Sequence, residues 1–420
     1  MILVCETKTR FLCAGRGWIS AWTAAWYNAG VTKNTAAHVG INGQLLSGAH
    51  SYRSAGVSGY IRQLLAHLPA AAPDLHFTAF TPDFDLDLPA SLDVRRSTRW
   101  DTRRPLRRIL WEQAALPLLA RQSRLDLLHG AVNVNPALSP CPTVVTVHDL
   151  SFMRTPQAFP PMQRAYLHSQ VRRSVRAARR VIAVSQATKQ DVVELFGAPP
   201  ERIDVVYNGV DAGFCPAPAG EVEAFRRRAG LPARFILHLG TLEPRKNLVR
   251  LVQAFARVRA HDAGQPAVKL ALAGGKGWDY DAIFAEVARQ GLEQDVLFPG
   301  YVADEDLAWW YRAAAVFIYP SLLEGFGLPV LEAMACGAPV VTSNLSSLPE
   351  VAGDAALLVD PTSVDALAAA LLRLLADADL ARELRSRGLA QAARFPWSRT
   401  AQETAAVYRR ALPKAPGGAP

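Results

Sequence analysis

The chain has 420 residues, half of them hydrophobic, and a formal net charge of +9. That length allows two or three domains with sizeable cores, and no charge-free run of 18 or more apolar residues is present, which argues against a membrane-spanning helix. Five scattered cysteines (Cys5, Cys13, Cys141, Cys215 and Cys336), an odd count with no C-x-x-C, argue against a disulfide framework or a zinc site and fit a reducing cytoplasm.

Residues 1–37 lack clean periodicity. They also lack the charged start, uninterrupted apolar core and cleavage site of a signal peptide. They read as an extension, disordered or preceding the true start. Strand-like HVGINGQLL (38–46) then leads through a glycine loop into a helix over 59–68. Further strands are expected at 75–81, 125–130, 143–149, 180–185 and 203–208. Proline and glycine cluster at 213–221, where a domain boundary should fall. A second series of strands follows at 234–240, 269–275, 295–300, 316–321, 339–344 and 355–360.

Helix-like stretches separate nearly all of these strands. Alternating βα units predict parallel sheets covered on both faces. The fold class is therefore α/β, with two Rossmann-like domains over 38–215 and 233–396 joined by a linker, 216–232. A helix is expected at 397–412 and a disordered tail at 413–420.

Much of the positive charge is local. Seven arginines fall within 95–108. In the helix-like segment 162–180, Arg164, His168, Arg172, Arg176 and Arg180 recur every four residues beside an apolar stripe. This is either a solvated surface or a face for anionic lipid headgroups. No RNA platform or helix-turn-helix signature accompanies it, so nucleic acid is not an expected partner.

The most informative stretch is PSLLEGFGLPVLEAMACGAP (320–339). A strand feeds a glycine-containing loop, and Pro329 opens a helix, where its missing N–H costs least. Amides of Phe326, Gly327 and Leu328 would then lie at a helix N-terminus, which attracts phosphate. Glu324 and Glu332 bracket the loop. Glycosidase carboxyl pairs stand ~5–9.5 Å apart, and eight positions across a loop and a helical turn should exceed ~10 Å. A ligand lying across both carboxylates fits better than a hydrolytic pair. The blander alternative is that Glu332 only favours the helix dipole and Glu324 is solvated.

Other candidates end strands at the sheet edge where open α/β folds bind ligands. Arg245 and Lys246 in GTLEPRKNL suit a diphosphate and oppose the dipole of the helix they start. Gly56 and Gly59 in the loop AGVSG would let backbone approach a phosphate. His148 and Asp149 end TVVTVHD, but adjacent strand residues point to opposite faces, so they should not form one dyad. Gly274 in AGGKGW borders the same edge. The strings Asp83-Phe84-Asp85 and Asp279-Tyr280-Asp281 invite a metal assignment, but neither has further ligands nearby, and no metal site is assigned.

The segment EGFGLPVLEAMACGAPVV resembles the glutamate–seven residues–glutamate signature of retaining glycosyltransferases of family 4. The resemblance continues through HLGTLEPRKNLVRLVQAF, LALAGGKGWDYD, VLFPGYVADEDLAWWYRAA, VVTVHDLSF, VIAVSQATKQDVVELFG and VVYNGVD, in the family's order. It covers about Ala37 to Leu412, and the relatives most alike are bacterial mannosyltransferases of surface-polysaccharide assembly.

It implies a GT-B fold, two facing domains with the last helix crossing back to the first. The first domain would present a glycan or lipid-linked acceptor. The second would bind a nucleotide diphosphate sugar as co-substrate, GDP-mannose favoured, with no metal or other cofactor. Under this resemblance Glu324 holds the transferred sugar, Glu332 the ribose, and Arg245, Lys246 and the Phe326–Leu328 amides the diphosphate. His148 contacts the sugar near the reacting centre, and Asp149 contacts acceptor or holds its loop. Val302 cradles the base with backbone groups. The expected enzyme is cytoplasmic, with peripheral contact at the inner face of the membrane. The competing readings are a nucleotide-sugar epimerase of the same architecture and a non-catalytic basic protein that binds membrane or polymer.

Overall fold

The structure is a computed structural model describing residues 36–47, 55–83, 87–97, 102, 104–261 and 266–413. Nearly all of the expected extension, the tail beyond Pro413 and part of the first D-x-D string lie outside the described residues.

Two parallel sheets form the framework. The first joins β1 (Ala37–Asn42), β2 (Leu75–Thr81), β3 (Asp93–Arg96), β4 (Leu127–Gly130), β5 (Thr143–Val147), β6 (Arg180–Ala183) and β7 (Ile203–Val205) in the order 3-2-1-4-5-6-7. The second joins β8 (Phe235–Leu239), β9 (Lys269–Ala273), β10 (Val296–Gly300), β11 (Val316–Tyr319), β12 (Val340–Ser343) and β13 (Leu357–Val359) in the order 10-9-8-11-12-13. Counted from its own first strand, the second sheet repeats the doubly wound order 3-2-1-4-5-6 of the Rossmann fold. In each lobe the order reverses between the first and fourth strands. The crevice at that switch point, beyond the strands' carboxyl ends, is where such sheets bind ligands.

Central strands are apolar runs because both faces are covered. All residues of β5 and β11 are buried. Strand β3 was not expected. Its sequence is DVRR and every residue is exposed, so it carries no hydrophobic signal. It is an edge strand, and charges on an edge discourage pairing with other chains.

The glycine segment 55–59, expected as a loop, is the first turn of a helix, Ala55–Ala71. Its Val57, Tyr60 and Ile61 already belong to the apolar face that packs on the first sheet, and this extends the helix back through both glycines. The last helix, Trp397–Ala411, belongs to the first lobe's core. Trp397 lies 6.1 Å from the Tyr60 ring, and Tyr408 meets His129 Nδ1 at 2.7 Å.

The expected basic face over 162–180 is shorter than its period suggested. The helix spans Pro161–Ala177. His168 is partly buried with its ring 6.0 Å from Phe196. Arg180 falls on β6, where Asp204 accepts from its Nε and Nη2 at 2.8 and 2.7 Å.

Candidate functional site

A cleft of about 1070 Å³ separates the carboxyl ends of the two sheets. On its second-lobe wall, the loop after β8 carries Glu243, Arg245 and Lys246, and the loop after β11 carries Glu324. These strands are neighbours at the switch point, so residues 78 and 79 positions apart meet. Lys246 Nζ donates to Glu324 Oε1 at 2.6 Å, and Arg245 Nη1 donates to Oε2 at 2.9 Å. Arg245 also donates through Nε and Nη2 to Glu243 Oε1, at 3.1 and 2.8 Å, and through Nη1 to the Leu323 carbonyl at 2.7 Å. Lys246 reaches the Tyr319 hydroxyl at 2.5 Å and stands over its ring.

Burial alone would raise the Glu324 carboxyl. Arg245 and Lys246 overcome it and hold the carboxyl down at about 2, so Glu324 is ionised. Burial and Arg245 lower the Lys246 ammonium, opposed by Glu324. Beneath them His238 stacks on Tyr319 and is held near pKa 3 by burial and Lys246, hence neutral. A guanidinium has five N–H groups and an ammonium three. Among the described residues Arg245 makes four such bonds and Lys246 two, so each keeps one donor. The quartet is electrically balanced, yet can still donate to an incoming anion.

Glu332, on the helix Leu328–Ala335, lies further along the same wall. Burial raises its carboxyl to about 7, and the Tyr311 hydroxyl, donating to Oε2 at 2.8 Å, opposes the rise. Asp211 and Asp304 push it further upward. Glu324 and Glu332 thus have opposite characters, one permanently charged and one poised near neutrality.

The facing wall comes from the first lobe. His148 Nε2 donates to the Ala131 carbonyl at 2.9 Å, which leaves Nδ1 as an acceptor. Burial depresses its pKa, so the ring is neutral. Asp149 Oδ1 accepts from the Ser151 amide at 2.9 Å and thereby holds its own loop. The lobes touch at Gly325. A Cβ there would stand 1.8 Å from the His148 carbonyl oxygen, so only glycine permits the approach.

Residues 54–214 match the family model described as Glycosyltransferase Family 4, and residues 221–391 match Glycosyl transferases group 1. The O-antigen chain mannosyltransferase B of Escherichia coli is 37% identical over 267 residues, 63% of this chain and 70% of that protein. The chain belongs to glycosyltransferase family 4. The serotype-specific mannosyltransferase WbdA of Escherichia coli is 31% identical over 279 residues, 65% of this chain but only 34% of WbdA. The sucrose-phosphate synthase of Thermosynechococcus elongatus shares the fold at a TM-score of 0.70 and 24% identity, over 89% of this chain and 98% of that one.

In this glycosyltransferase the cleft brings together the thirteen residues that the sequence assigned to donor, acceptor or catalysis. Gly56, Gly59, His148, Asp149, Arg245, Lys246, Gly274, Val302, Glu324, Phe326, Gly327, Leu328 and Glu332 all line it. Their reasons for being there differ. Among the described residues a Cβ at Gly56 or Gly59 would meet no atom within 4 Å, so their packing does not demand glycine at either. Gly274 is demanded by packing, since a Cβ would stand 2.0 Å from the Gly240 carbonyl oxygen. Lys276 is turned onto the Tyr280 and Phe284 rings. Among the described residues no three His, Cys, Asp or Glu side chains gather as a metal-binding group.

Sequence reasoning missed Glu243, Tyr319 and Tyr311. Glu243 had a signal, an acidic residue two positions before Arg245 in a strand-end loop. The tyrosines read only as core.

Proposed function

We propose that the protein is a retaining, metal-independent mannosyltransferase that moves mannose from GDP-mannose to a glycan or lipid-linked acceptor in polysaccharide synthesis. The mannosyltransferase relative that is 37% identical over most of this chain carries the choice of sugar. The ion-paired Glu324, lining the same cleft as His148, supports the chemistry. In this reading Arg245 and Lys246 use their remaining N–H groups on the diphosphate, helped by the helix N-terminus at Leu328. The acceptor hydroxyl attacks from the leaving-group face as the C–O bond to phosphate breaks, and its proton passes to the departing phosphate oxygen. Glu324 and His148 Nδ1 accept from sugar hydroxyls. The test is a panel of GDP- and UDP-sugars with product anomer analysis. Inverted product, epimerised donor or an absolute metal requirement would each defeat part of this reading.

Glu332 would accept from the ribose hydroxyls, and this predicts a pH dependence. A carboxylate accepts two hydroxyls only when ionised. Affinity for intact nucleotide sugar, whose phosphate diesters have no proton to lose near neutrality, should weaken by up to about tenfold per pH unit below about 7. Stability without ligand runs the other way. A carboxyl raised from 4.5 to about 7 stabilises the fold when protonated, so that contribution is complete below 4.5 and lost as pH rises through 7. Calorimetric titration of donor from pH 5.5 to 8 checks this. Glu332→Gln should flatten the profile, and a flat profile in the parent would remove Glu332 from the ribose.

Peripheral contact with an anionic membrane completes the proposal. Leu106, Leu110 and Leu118 are 77, 58 and 63 % exposed along one continuous helical run, while Glu112 on the same run is buried. Leu138 and Met162, at 80 and 87 %, are nearby: the Ala137 amide bonds Gln113, and Tyr166, one turn from Met162, feels the charges of Glu112 and Arg108. Among the described residues no other large apolar side chain is more than half exposed. Arg104 and Arg107, beside Leu106 in the sequence, and Arg164, two residues after Met162, are exposed. Leucines amid arginines suit insertion below anionic headgroups. The Leu106→Ser, Leu110→Ser double variant should lose at least about tenfold in binding to phosphatidylglycerol vesicles, each buried leucine contributing ~1.5–3 kcal/mol. Unchanged sedimentation with those vesicles would defeat the contact.

A further inference from the structure

The seam between the lobes is closed by a side chain that the chemistry above does not use. Glu350, on the short helix Leu348–Ala352 of the second lobe, reaches the start of the first lobe's helix Gln186–Phe196. Its Oε2 accepts from the Gln186 amide at 2.8 Å, its Oε1 from the Ala187 amide at 2.7 Å, and the Tyr207 hydroxyl donates to Oε2 at 3.2 Å. The helix supplies its own cap for the next amide, Ser185 Oγ accepting from Thr188 at 3.0 Å. A helix leaves its first four amides unpaired. Here three are satisfied, two of them by a carboxylate 163 and 164 residues away, with the helix dipole adding to the attraction.

The same short segment grips the glutamate loop from the other side. Ser346 Oγ donates to the Glu324 carbonyl at 2.6 Å, and Ser347 Oγ to the Phe326 carbonyl at 2.7 Å. Thr188, on the clasped helix, donates through Oγ1 to the Gly325 carbonyl at 3.2 Å. Residues 346–350 therefore tie the Glu324 loop to the element that packs behind His148.

We propose that Glu350 is a positioning residue of the transfer reaction, a clasp that sets the distance between His148 on one lobe and Glu324 on the other. The proposal rests on the transferase reading for its kinetic consequences and on the geometry alone for its mechanical one. Of the side chains assigned to the donor, Arg245, Lys246, Glu324 and Glu332 belong to the second lobe and His148 to the first. Releasing the clasp should leave donor affinity nearly intact and lower the rate of the step that needs both walls.

The test combines kinetics with small-angle scattering on Glu350→Ala, Glu350→Gln and Glu350→Asp. Aspartate keeps two acceptor oxygens on a shorter stem. Glutamine keeps one and turns an NH2 group toward an amide. The kcat should fall in the order Glu, Asp, then Gln and Ala together, by about 10- to 100-fold at the end of the series, with donor KM changed less than about threefold. The radius of gyration of Glu350→Ala should exceed the parent's. A parent-like radius and kcat in folded Glu350→Ala would overturn the clasp. So would a loss of melting temperature alone, or a loss confined to KM. If Glu350→Ala does not fold, Glu350→Asp with parent-like kcat and radius overturns it. If the parent transfers no sugar, the reaction reading fails, while the scattering comparison still decides the clasp.

Discussion

Glu324→Gln is expected to cut turnover about 10- to 100-fold while leaving nucleoside diphosphate affinity unchanged or tighter. The sign of the affinity change follows from the charge balance. Glu324 is ionised and engages Lys246 at 2.6 Å and Arg245 at 2.9 Å. Removing that charge leaves Glu243, paired with Arg245, as the one carboxylate in an ion pair with either cation among the described residues, and an incoming diphosphate then meets a more positive wall. Turnover falls because the contact to the transferred sugar, a charge-assisted hydrogen bond contributing roughly 1.5–3 kcal/mol, is weakened where bond breaking occurs. The amide keeps a carbonyl oxygen for Lys246, but leaving cations short of a partner costs stability. Melting temperature should be recorded beside affinity. Glu332→Gln should behave oppositely and weaken free nucleotide by the same 10- to 100-fold. Calorimetry of GDP and UDP on both variants separates them: a large affinity loss in Glu324→Gln would mean that its carboxylate supports the diphosphate and not the sugar.

The convergence of Glu324 with Arg245 and Lys246 was legible in the sequence because both groups follow parallel strands at the same sheet edge. Strand neighbourhood then fixed their meeting. What they do to one another was not legible. Nothing in GTLEPRKNL announces that a single turn, Pro244–Lys246, folds Glu243 back onto Arg245, or that the cations meet a carboxylate before any ligand arrives. Glu350 was invisible for a related reason. Two of its three partners are backbone amides, and amides have no sequence signature. Period-based reading also failed where charge or composition masked the backbone state. DVRR formed a strand without alternation, and Arg180 kept the four-residue spacing of a helix it had already left. The leucine ridge was hidden because Leu106, Leu110 and Leu118 look like a core stripe. Only the structure shows the opposite face of that run, with Trp111, Glu112 and Leu116, turned inward.

Gly325→Ala should be the most damaging single substitution in the cleft, lowering turnover by about 100-fold or more and reducing thermal stability. The new Cβ would stand 1.8 Å from the His148 carbonyl oxygen, 2.8 Å from its carbon and 3.2 Å from Asp149 Cβ. Neither side can yield cheaply. His148 directly follows a fully buried central strand, and its amide is pinned by Asn133 Oδ1 at 2.9 Å. The Gly325 loop is held by Ser346, Ser347 and Thr188. Relief therefore requires the lobes to separate by about 1 Å, and a misplacement of that size can cost about 10²-fold in rate. Gly56→Ala provides the contrast, since its Cβ would meet no atom of the described residues within 4 Å. It should melt like the parent and lose affinity only if a phosphate approaches that backbone. Turnover and melting curves of the two variants, measured together, decide the matter. Parent-like behaviour of Gly325→Ala would mean that the seam opens without cost, and that His148 and Glu324 need not be held at this separation for transfer.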